Sequence, residues 1–418
     1  LTEEDQVLTR EENELLTQTG PGTPGGELMR RYWQPVALEA DLPISSAPIP
    51  VRLLSEDLVL FRDEDGQPGL LGIHCAHRGA DLSYGRLEDG GLRCIYHGWL
   101  YDRSGRCLEQ PGEPAGSTFH ERIRQTAYPC VETGGFILAY LGPGEPPQVP
   151  GFDFLHAPPE RREVARVIRE CNYLQGNEGN FDPHHVPLLH WTAAGALSPV
   201  APLGPNRRWL KPVTETENME YGVRLYSLQD TPGGGKQVGI HCFVMPNLST
   251  FSFAGYGDGY GVNWHVPIDD TVHWVYRVQF SRDMALDHEA IRNSRLSPSD
   301  PVRNRANRYR QDRASMREES FAGLGISFPD QDACVTEGAG PIQDRTQEHL
   351  ASTDKCLVAS RMMLLKAIRE LQQGKEPPLF TRDPNHSREI RLVGGGYSVP
   401  PGVDWRTYMQ EQIFAAAV

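Results

Sequence analysis

The sequence predicts an α+β protein: a small all-β unit followed by a larger part in which antiparallel strands and helices mix. Three observations carry this expectation. From about Pro50 to Gly142 the chain runs in short alternating segments with turn signals between them. Leu58-Val59-Leu60-Phe61 and Phe136-Ile137-Leu138-Ala139-Tyr140 are examples, too short for helices and readable as strands. Gly142-Pro143-Gly144, then Pro146, Pro147 and Pro150, form a stiff break, because proline offers no N–H to a ladder. Beyond the break the patterns mix. Val223 to Leu228, Val238 to Val244 and Val272 to Phe280 read as strands; in the last, Val272, Trp274, Tyr276, Val278 and Phe280 alternate with polar or smaller residues and should bury one face. Asn172 to Phe181 reads as a helix, with Asn172 and Gln175 at the N-cap and N3 positions of a capping box. Thr353 to Gln373 reads as a longer one, stopped at Gly374 and striped by Leu357, Val358, Leu364, Leu365, Ile368 and Leu371.

Ahead of the all-β unit, residues from about 10 to 33 read as short helices broken by Gly20-Pro21-Gly22 and Gly25-Gly26. The boundaries divide the chain into an N-terminal helical segment, 1–48, expected to pack on the largest part; the all-β unit, 49–145; and the remainder, 146–418.

Composition excludes several functions. A chain of 418 residues with 39% hydrophobic and 23% charged residues is that of an ordinary globular enzyme with room for two or three domains. No run of about 18 uncharged apolar residues exists to span a membrane. The acidic opening Leu1-Thr2-Glu3-Glu4-Asp5 lacks the features of a secretory signal, so a cytoplasmic location is expected. A net charge of −14 argues against a nucleic-acid partner, whose binding rests on neutralising phosphates. The arginines between Arg303 and Arg313 lie among acids at helical spacing and read as a solvated helix face. Eight cysteines over this length are too sparse for a disulfide framework, and Cys107, Cys130, Cys171, Cys242, Cys334 and Cys356 are expected to be reduced thiols.

The other two cysteines stand beside histidines, in Cys75-Ala76-His77 and Cys94-Ile95-Tyr96-His97. Two thiolates and two imidazoles let one iron of a [2Fe–2S] cluster take the cysteines and the other the histidines, the ligand set of a Rieske centre. A Cys2His2 zinc site is the competing reading, but zinc fingers pair like with like, and here each pair is mixed. The neighbours agree: Cys75 through Arg78-Gly79, and Cys94 through His97-Gly98-Trp99, resemble the C-x-H-R-G and C-x-Y-H-G-W boxes of Rieske proteins.

A cluster of this kind moves electrons without binding substrate, so the rest of the chain needs its own site. Asp182-Pro183-His184-His185-Val186-Pro187-Leu188-Leu189-His190 offers His185 and His190 as imidazole ligands, with Asp182 one turn before the first. Two histidines and one carboxylate on one face of iron(II) leave positions open for O2 and substrate. By spacing alone the carboxylate is either Asp182 or Asp354, the latter in a helix first turn where the dipole favours an acid without any metal. His184 is an equally capable neighbour of His185.

Further runs extend the pattern: Glu12-Asn13-Glu14-Leu15-Leu16-Thr17 through Pro24, Arg31-Tyr32-Trp33-Gln34-Pro35, Asn172-Tyr173-Leu174-Gln175 with Glu178-Gly179-Asn180, Gly340-Pro341-Ile342, Asp344-Arg345-Thr346 and Glu348-His349-Leu350. On these and the metal motifs, nearly the whole chain resembles the oxygenase (α) component of Rieske non-haem iron aromatic ring-hydroxylating oxygenases, in the phthalate-dioxygenase-like and aryl O-demethylase-like branch. The resemblance implies a helix-grip-like catalytic domain after the Rieske domain. It also implies an iron closed by an aspartate at the start of a C-terminal helix, in a context similar to Ser352-Thr353-Asp354-Lys355. Asp354 is then the expected third ligand, and Asp182 is freed to bridge a cluster histidine and an iron histidine across a subunit interface of a homotrimer or stacked trimers.

The implied reaction takes NAD(P)H electrons through a ferredoxin or a flavin/iron–sulfur reductase to the cluster and on to the mononuclear Fe(II). There O2 is used to hydroxylate or O-demethylate an aromatic substrate. The chain carries no nicotinamide or flavin fingerprint of its own. Phthalate-type members have small serines where Pro183 and His184 stand and an arginine where Gly239 stands, which points towards a less acidic or larger aromatic, or an aryl methyl ether. Phe181, Trp191 and Met245 are pocket candidates, although large apolar groups are more often core. Two other classes fit part of the pattern: a Rieske electron carrier with no oxygenase site, and a zinc-dependent hydrolase.

Overall fold

The computed structural model describes residues 7–192, 213–252, 257–294, 297, 303–317, 319–383 and 389–414. The all-β unit consists of small antiparallel sheets. Ile49–Leu53, Glu56–Arg62, Pro68–Gly72 and Ala127–Tyr128 form one sheet, and Arg86–Glu88, Gly91–Arg93, Leu100–Tyr101 and Cys107–Glu109 form a second. Gln34–Leu38, Phe136–Ala139 and Cys130–Thr133 form a third. In the second sheet Glu88 pairs with Gly91, leaving a two-residue turn of Asp89 and Gly90 with φ of 52° and 76°. Two positive φ values in a two-residue hairpin loop match the right-handed twist of the strands, which explains the Asp-Gly pair. Val59, Phe61, Leu71, Leu92, Trp99 and Tyr101 make a separate small core around Cys75 and Cys94.

The larger part is built on an eight-stranded antiparallel sheet. Its order is Arg162–Arg169, His273–Ser281, Gly259–Pro267, Leu248–Ser252, Lys236–Val244, Gly222–Asp230 and Val213–Met219, with Gly395–Val399 added along Lys236–Ile240. The alternation expected around Tyr276 is present, and both faces of that strand are enclosed. Tyr276, Val278 and Phe280 enter the main core, while His273, Val275, Arg277 and Gln279 on the opposite face are also buried. A polar face on a strand is here the wall of an internal cavity.

Helix Tyr173–Asn180 lies on this sheet against Gly259–Pro267 and touches helix Phe328–Gly338. Asn172 caps it by accepting from the Leu174 N–H at 3.1 Å, but Gln175 does not close a capping box. Its amide donates instead to the carbonyls of Thr336 and Gly340, both at 2.8 Å, because partners from another segment are within reach of a buried side chain. The N-terminal helices are Arg10–Thr17 and Pro24–Arg30, and both pack on helix Lys355–Gln372. Gly25 and Gly26 sit inside the second helix rather than breaking it. A Cβ on Gly26 would lie 2.2 Å from the Gly20 carbonyl, so these glycines serve close backbone approach. Arg305–Arg310 is a kinked 3-10 segment with Arg308 and Tyr309 at positive φ and Tyr309 buried, not a solvated α-helical face. Among the described residues no helix is long and apolar enough to cross a membrane, and all eight cysteines are free thiols.

A buried ionic network joins these helices. Glu178 accepts from Arg345 Nη2 at 2.8 Å and from Arg361 Nε at 2.6 Å, and Arg361 reaches Glu348 at 2.5 and 3.0 Å. Arg345 also donates to Asn13 Oδ1 at 3.2 Å, drawing in the N-terminal helix. Burial would push the Glu178 carboxyl up, but the two guanidiniums hold it down at about 2 against an ordinary 4.5. A depressed folded pKa gives stability that is complete above the unfolded value and lost as pH falls through the folded one. Glu178 is therefore expected to contribute about 3 kcal/mol at neutral pH, lost between about pH 4.5 and pH 2. Glu178→Gln, which leaves two buried cations short of a charge, should cost about 3–5 kcal/mol and flatten that acid limb in urea melts at stepped pH. An unchanged midpoint and acid limb would show that the network does not hold the helices.

Candidate metal centres

The two cysteine–histidine loops follow strands Pro68–Gly72 and Gly91–Arg93 and fold alike. Gly79 N donates to Cys75 O at 2.8 Å and Gly98 N to Cys94 O at 2.9 Å, while Cys75 N and Cys94 N donate to the carbonyls of Ala80 and Trp99, both at 2.8 Å. Gly79 and Gly98 have φ of 73° and 76°, a left-handed turn that L side chains rarely adopt, and this is why each box carries a glycine. The turns bring two buried thiols together. Burial pushes the Cys94 thiol up, and Cys75 beside it adds to the shift. The imidazoles of His77 and His97 lie 4.5 Å apart between centroids, His77 stacked on Trp99 and His97 exposed.

His77 Nδ1 is buried with no hydrogen-bond partner among the described residues. A buried ring nitrogen with an unused lone pair carries a desolvation cost that a metal bond removes, so the residues fit a [2Fe–2S] cluster on Cys75, Cys94, His77 and His97. Tyr101 Oη lies 3.2 Å from Cys75 Sγ, placed to donate to a ligating thiolate.

The second centre forms where the chain leaves helix Tyr173–Asn180. His185 caps the short helix Val186–Leu189 and His190 ends it. Facing them is Asp332, on helix Phe328–Gly338, which Ser327 caps by accepting from Asp330 N at 3.3 Å. Among the described residues His185, His190 and Asp332 are the group whose donor atoms converge within 4.8 Å. His190 Nε2 is 3.2 Å and His185 Nε2 3.8 Å from Asp332 Oδ1. The other ring nitrogens are committed: His190 Nδ1 donates to Gln331 Oε1 at 2.6 Å, and His185 Nδ1 lies 3.4 Å from Asp182 Oδ2. With each proton held at Nδ1, each Nε2 presents a lone pair inward, the tautomer a metal requires. Burial would raise the Asp332 carboxyl, but the adjacent imidazole of His190 brings it below its ordinary value. Two imidazoles and one carboxylate suit a divalent iron with open positions.

Comparisons with known proteins identify the Rieske unit and the family of the remainder. Residues 32–128 match the Rieske [2Fe–2S] domain family, and residues 139–418 match the family described as LigXa C-terminal domain like. The chain is 34% identical to the phthalate 4,5-dioxygenase oxygenase subunit of Pseudomonas putida, over 98% of this chain and 96% of that protein. It is 32% identical to the 5,5'-dehydrodivanillate O-demethylase oxygenase subunit of a Sphingobium species, over 92% and 86%.

The chain belongs to the Rieske non-haem iron aromatic ring-hydroxylating oxygenases. It is an oxygenase component of the phthalate-dioxygenase-like and aryl O-demethylase-like branch. Among solved structures, the terminal oxygenase of carbazole 1,9a-dioxygenase from a Novosphingobium species shares the fold, with a TM-score of 0.59 at 20% identity over 84% of this chain and 96% of that one.

For this Rieske oxygenase one expected ligand is corrected. Asp354 does not join the histidines: it precedes helix Lys355–Gln372, and its Oδ2 accepts from Ala351 N at 2.7 Å. The inward face of that helix belongs to Cys356, Ser360, Arg361 and Leu364, so an acid before its first turn is spent on the turn itself. Asp332 stands beside the two histidines instead, a residue that sequence spacing did not single out. Its only local signal is the Gln331-Asp332 pair, which serves one histidine through an amide and both through a carboxylate. His184 stays outside the group, its backbone N–H held by Asp182 Oδ1 at 2.8 Å. Phe181 and Met245 are core residues, Phe181 packing on Phe243 at 5.5 Å.

Iron analysis tests the ligand assignment. Asp332→Ala should lose the mononuclear iron while the cluster's visible spectrum persists, and Asp354→Ala should keep both; the reverse pattern would return Asp354 to the ligand set. Tyr101→Phe should lower the cluster's reduction potential by tens of millivolts, because a donor to a sulfur stabilises the more negative state. An unchanged potential in a redox titration would mean that the hydroxyl does not donate to Cys75.

Proposed function

We propose that this oxygenase takes electrons from a separate ferredoxin or flavin/iron–sulfur reductase charged by NAD(P)H, and uses O2 to hydroxylate or O-demethylate an aromatic compound at a mononuclear iron held by His185, His190 and Asp332. The carrying observation is the convergence of those three side chains beside a cavity that His185 and Asp332 line. His185 and Asp332 line that cavity with Asn180 and Asp182, so a ligand held there lies beside the donor group. When bound, the cluster supplies single electrons and the iron supplies O2 activation.

The remaining work is done by the chain. Burial would raise the Asp182 carboxyl, but the His185 imidazole and the His184 N–H hold it below its usual range, so it stays an acceptor for His185 Nδ1. Gln331 does the same for His190. On the Rieske unit, exposed Ile95 and Tyr96 adjoin the exposed His97 edge. An apolar rim beside a solvent-facing ligand favours docking of another protein surface there, in keeping with a trimer in which Asp182 links His185 to a neighbour's cluster histidine.

Protein purified without oxygen should contain three irons and two sulfides per chain and consume O2 with NADH only when a reductase is added. Labelled O2 then separates the chemistries: both atoms in a cis-diol for dioxygenation, formaldehyde release for demethylation. Asp182→Asn should retain both metals and lose about 10–100-fold in turnover, since the amide presents a weaker acceptor to His185. A fall in iron that tracks the fall in turnover would make Asp182 a ligand instead.

A further inference from the structure

A line of aromatic rings runs from the surface of the all-β unit to His77. Phe119 opens the 3-10 turn Phe119–Arg122, which rests on strand Cys107–Glu109, and it is 44% exposed. Behind it the Trp99 indole is buried, its centroid 6.3 Å from that of Phe119 and the two rings edge-to-face at 80°. Trp99 in turn stacks on the His77 imidazole at 4.4 Å, with the planes 6° apart. Two ring-to-ring steps therefore join solvent to a cluster ligand, and an electron crosses protein most readily where the gaps between π-systems are small.

The charges around Phe119 have one sign in excess. In the all-β unit Arg52, Arg62, Arg86, Arg93 and Arg103 each meet a carboxylate. Arg106, Arg122 and Arg124 are exposed and meet none among the described residues. Arg106 and Arg124 stand opposite each other as an isolated antiparallel pair. Like charges directly opposite destabilise a pairing, so the fold keeps here a repulsion that it neutralises elsewhere. Arg124 donates from Nη1 to the carbonyls of Glu121 and Ile123, at 3.2 and 2.9 Å, which pins its guanidinium at the end of the turn. Glu121 is the single acid within the turn, and Glu109 on the strand beneath is spent on Arg93 at 2.7 Å. An exposed apolar ring rimmed by unpaired cations fits an acidic protein surface.

The other histidine of the cluster group has a different outlet. His97 is exposed, its ring 3.8 Å from that of Tyr96, and with Ile95 it forms the edge that would meet a neighbouring subunit. His77 is half-buried and leans on Trp99 instead. An electron that enters on the Phe119 side and leaves on the His97 side does not require one surface to hold two partners at once.

Accepting the external electron supply proposed above, we propose that the face formed by Phe119, Arg106, Arg122 and Arg124 is the electron-entry port of this oxygenase, and that it docks an acidic [2Fe–2S] ferredoxin domain, free or part of a reductase. One electron leaves the donor's reduced cluster and passes by Phe119 and Trp99 to the oxidised cluster held by Cys75, Cys94, His77 and His97, with no bond made or broken. Rieske centres sit at higher potential than plant-type ferredoxins, so the transfer runs downhill. The arginines steer the acidic donor to the turn, and the rings carry the charge inward.

Stopped-flow mixing tests this without turnover. Oxidised, oxygen-free protein is mixed with a reduced plant-type [2Fe–2S] ferredoxin, an acidic protein, and bleaching of the cluster is followed; reduced methyl viologen, which needs no docking, is the control. The double variant Arg122→Glu/Arg124→Glu should lose about tenfold or more in second-order rate with the ferredoxin at low salt, and most of the salt dependence, while its methyl viologen rate and reduction potential stay unchanged. Phe119→Ala should lower the limiting rate at saturating ferredoxin and Phe119→Tyr should restore it, which separates a lost ring from a folding defect. The proposal is overturned by full ferredoxin rates in the arginine variant, with or without a change in oligomeric state, by slowing that methyl viologen shares, or by an unchanged limiting rate in Phe119→Ala. It is overturned equally if the ferredoxin does not reduce the unmodified protein, or if Ile95→Glu slows reduction more than the arginine variant does, which would place the donor at the His97 edge. Because the readout is the colour of the cluster, fast reduction through this face without O2 consumption would sink the oxygenase reading and leave the port standing.

Discussion

Glu178 lies between two guanidiniums that water does not reach, and the groups around it come from separate stretches of chain. Arg345 belongs to the segment after helix Phe328–Gly338, Arg361 and its second partner Glu348 to helix Lys355–Gln372 and the loop before it, and Asn13 to the N-terminal helix. Removing a cation from water costs several kcal/mol unless an anion meets it in good geometry, so these segments are stable only when all are in place. The constraint passes directly to chemistry. Glu178 sits on helix Tyr173–Asn180, whose last residue, Asn180, enters the cavity wall and whose continuation carries Asp182, His185 and His190. Locking that helix against these segments sets where the two imidazoles meet Asp332.

The polar interior follows a second rule: the histidines of the metal site and of the sheet wall have their nitrogens assigned. His185 and His190 spend Nδ1 on Asp182 and Gln331 and turn Nε2 inward, whereas His265 and His273 spend both nitrogens in a directed chain. In a low-dielectric interior an unassigned ring nitrogen is costly, so a free one flanked by metal-binding side chains fits a metal bond. His77 Nδ1, beside the two buried cysteines, is such a place. One sheet face is thereby a polar wall while its opposite face fills the core.

Much of the architecture was legible because its signals are local. The Cys-x-His and Cys-x-x-His loops need only a short turn and a glycine at positive φ, and those are written beside the ligands. His185 and His190 flank a single helical turn, so their spacing carried the pairing. The strands around Tyr226, Ile240 and Tyr276 and the long apolar-striped helix also followed from periodicity. Features that depend on what packs opposite were not legible. Gln175 sits at a capping-box position but reaches across to Thr336 and Gly340, and Gly25-Gly26 looks like a helix break but serves a close helix contact.

The carboxylate that faces His185 and His190 shows the division most clearly. Asp354 and Asp332 are both acids near helix starts, and composition and spacing do not distinguish them. Sequence determined the donor types, the cluster loops and the two-histidine turn, because each is completed within a few residues of chain. Only tertiary structure decided which carboxylate meets the histidines, because that pairing depends on how separate helices are held together across the fold.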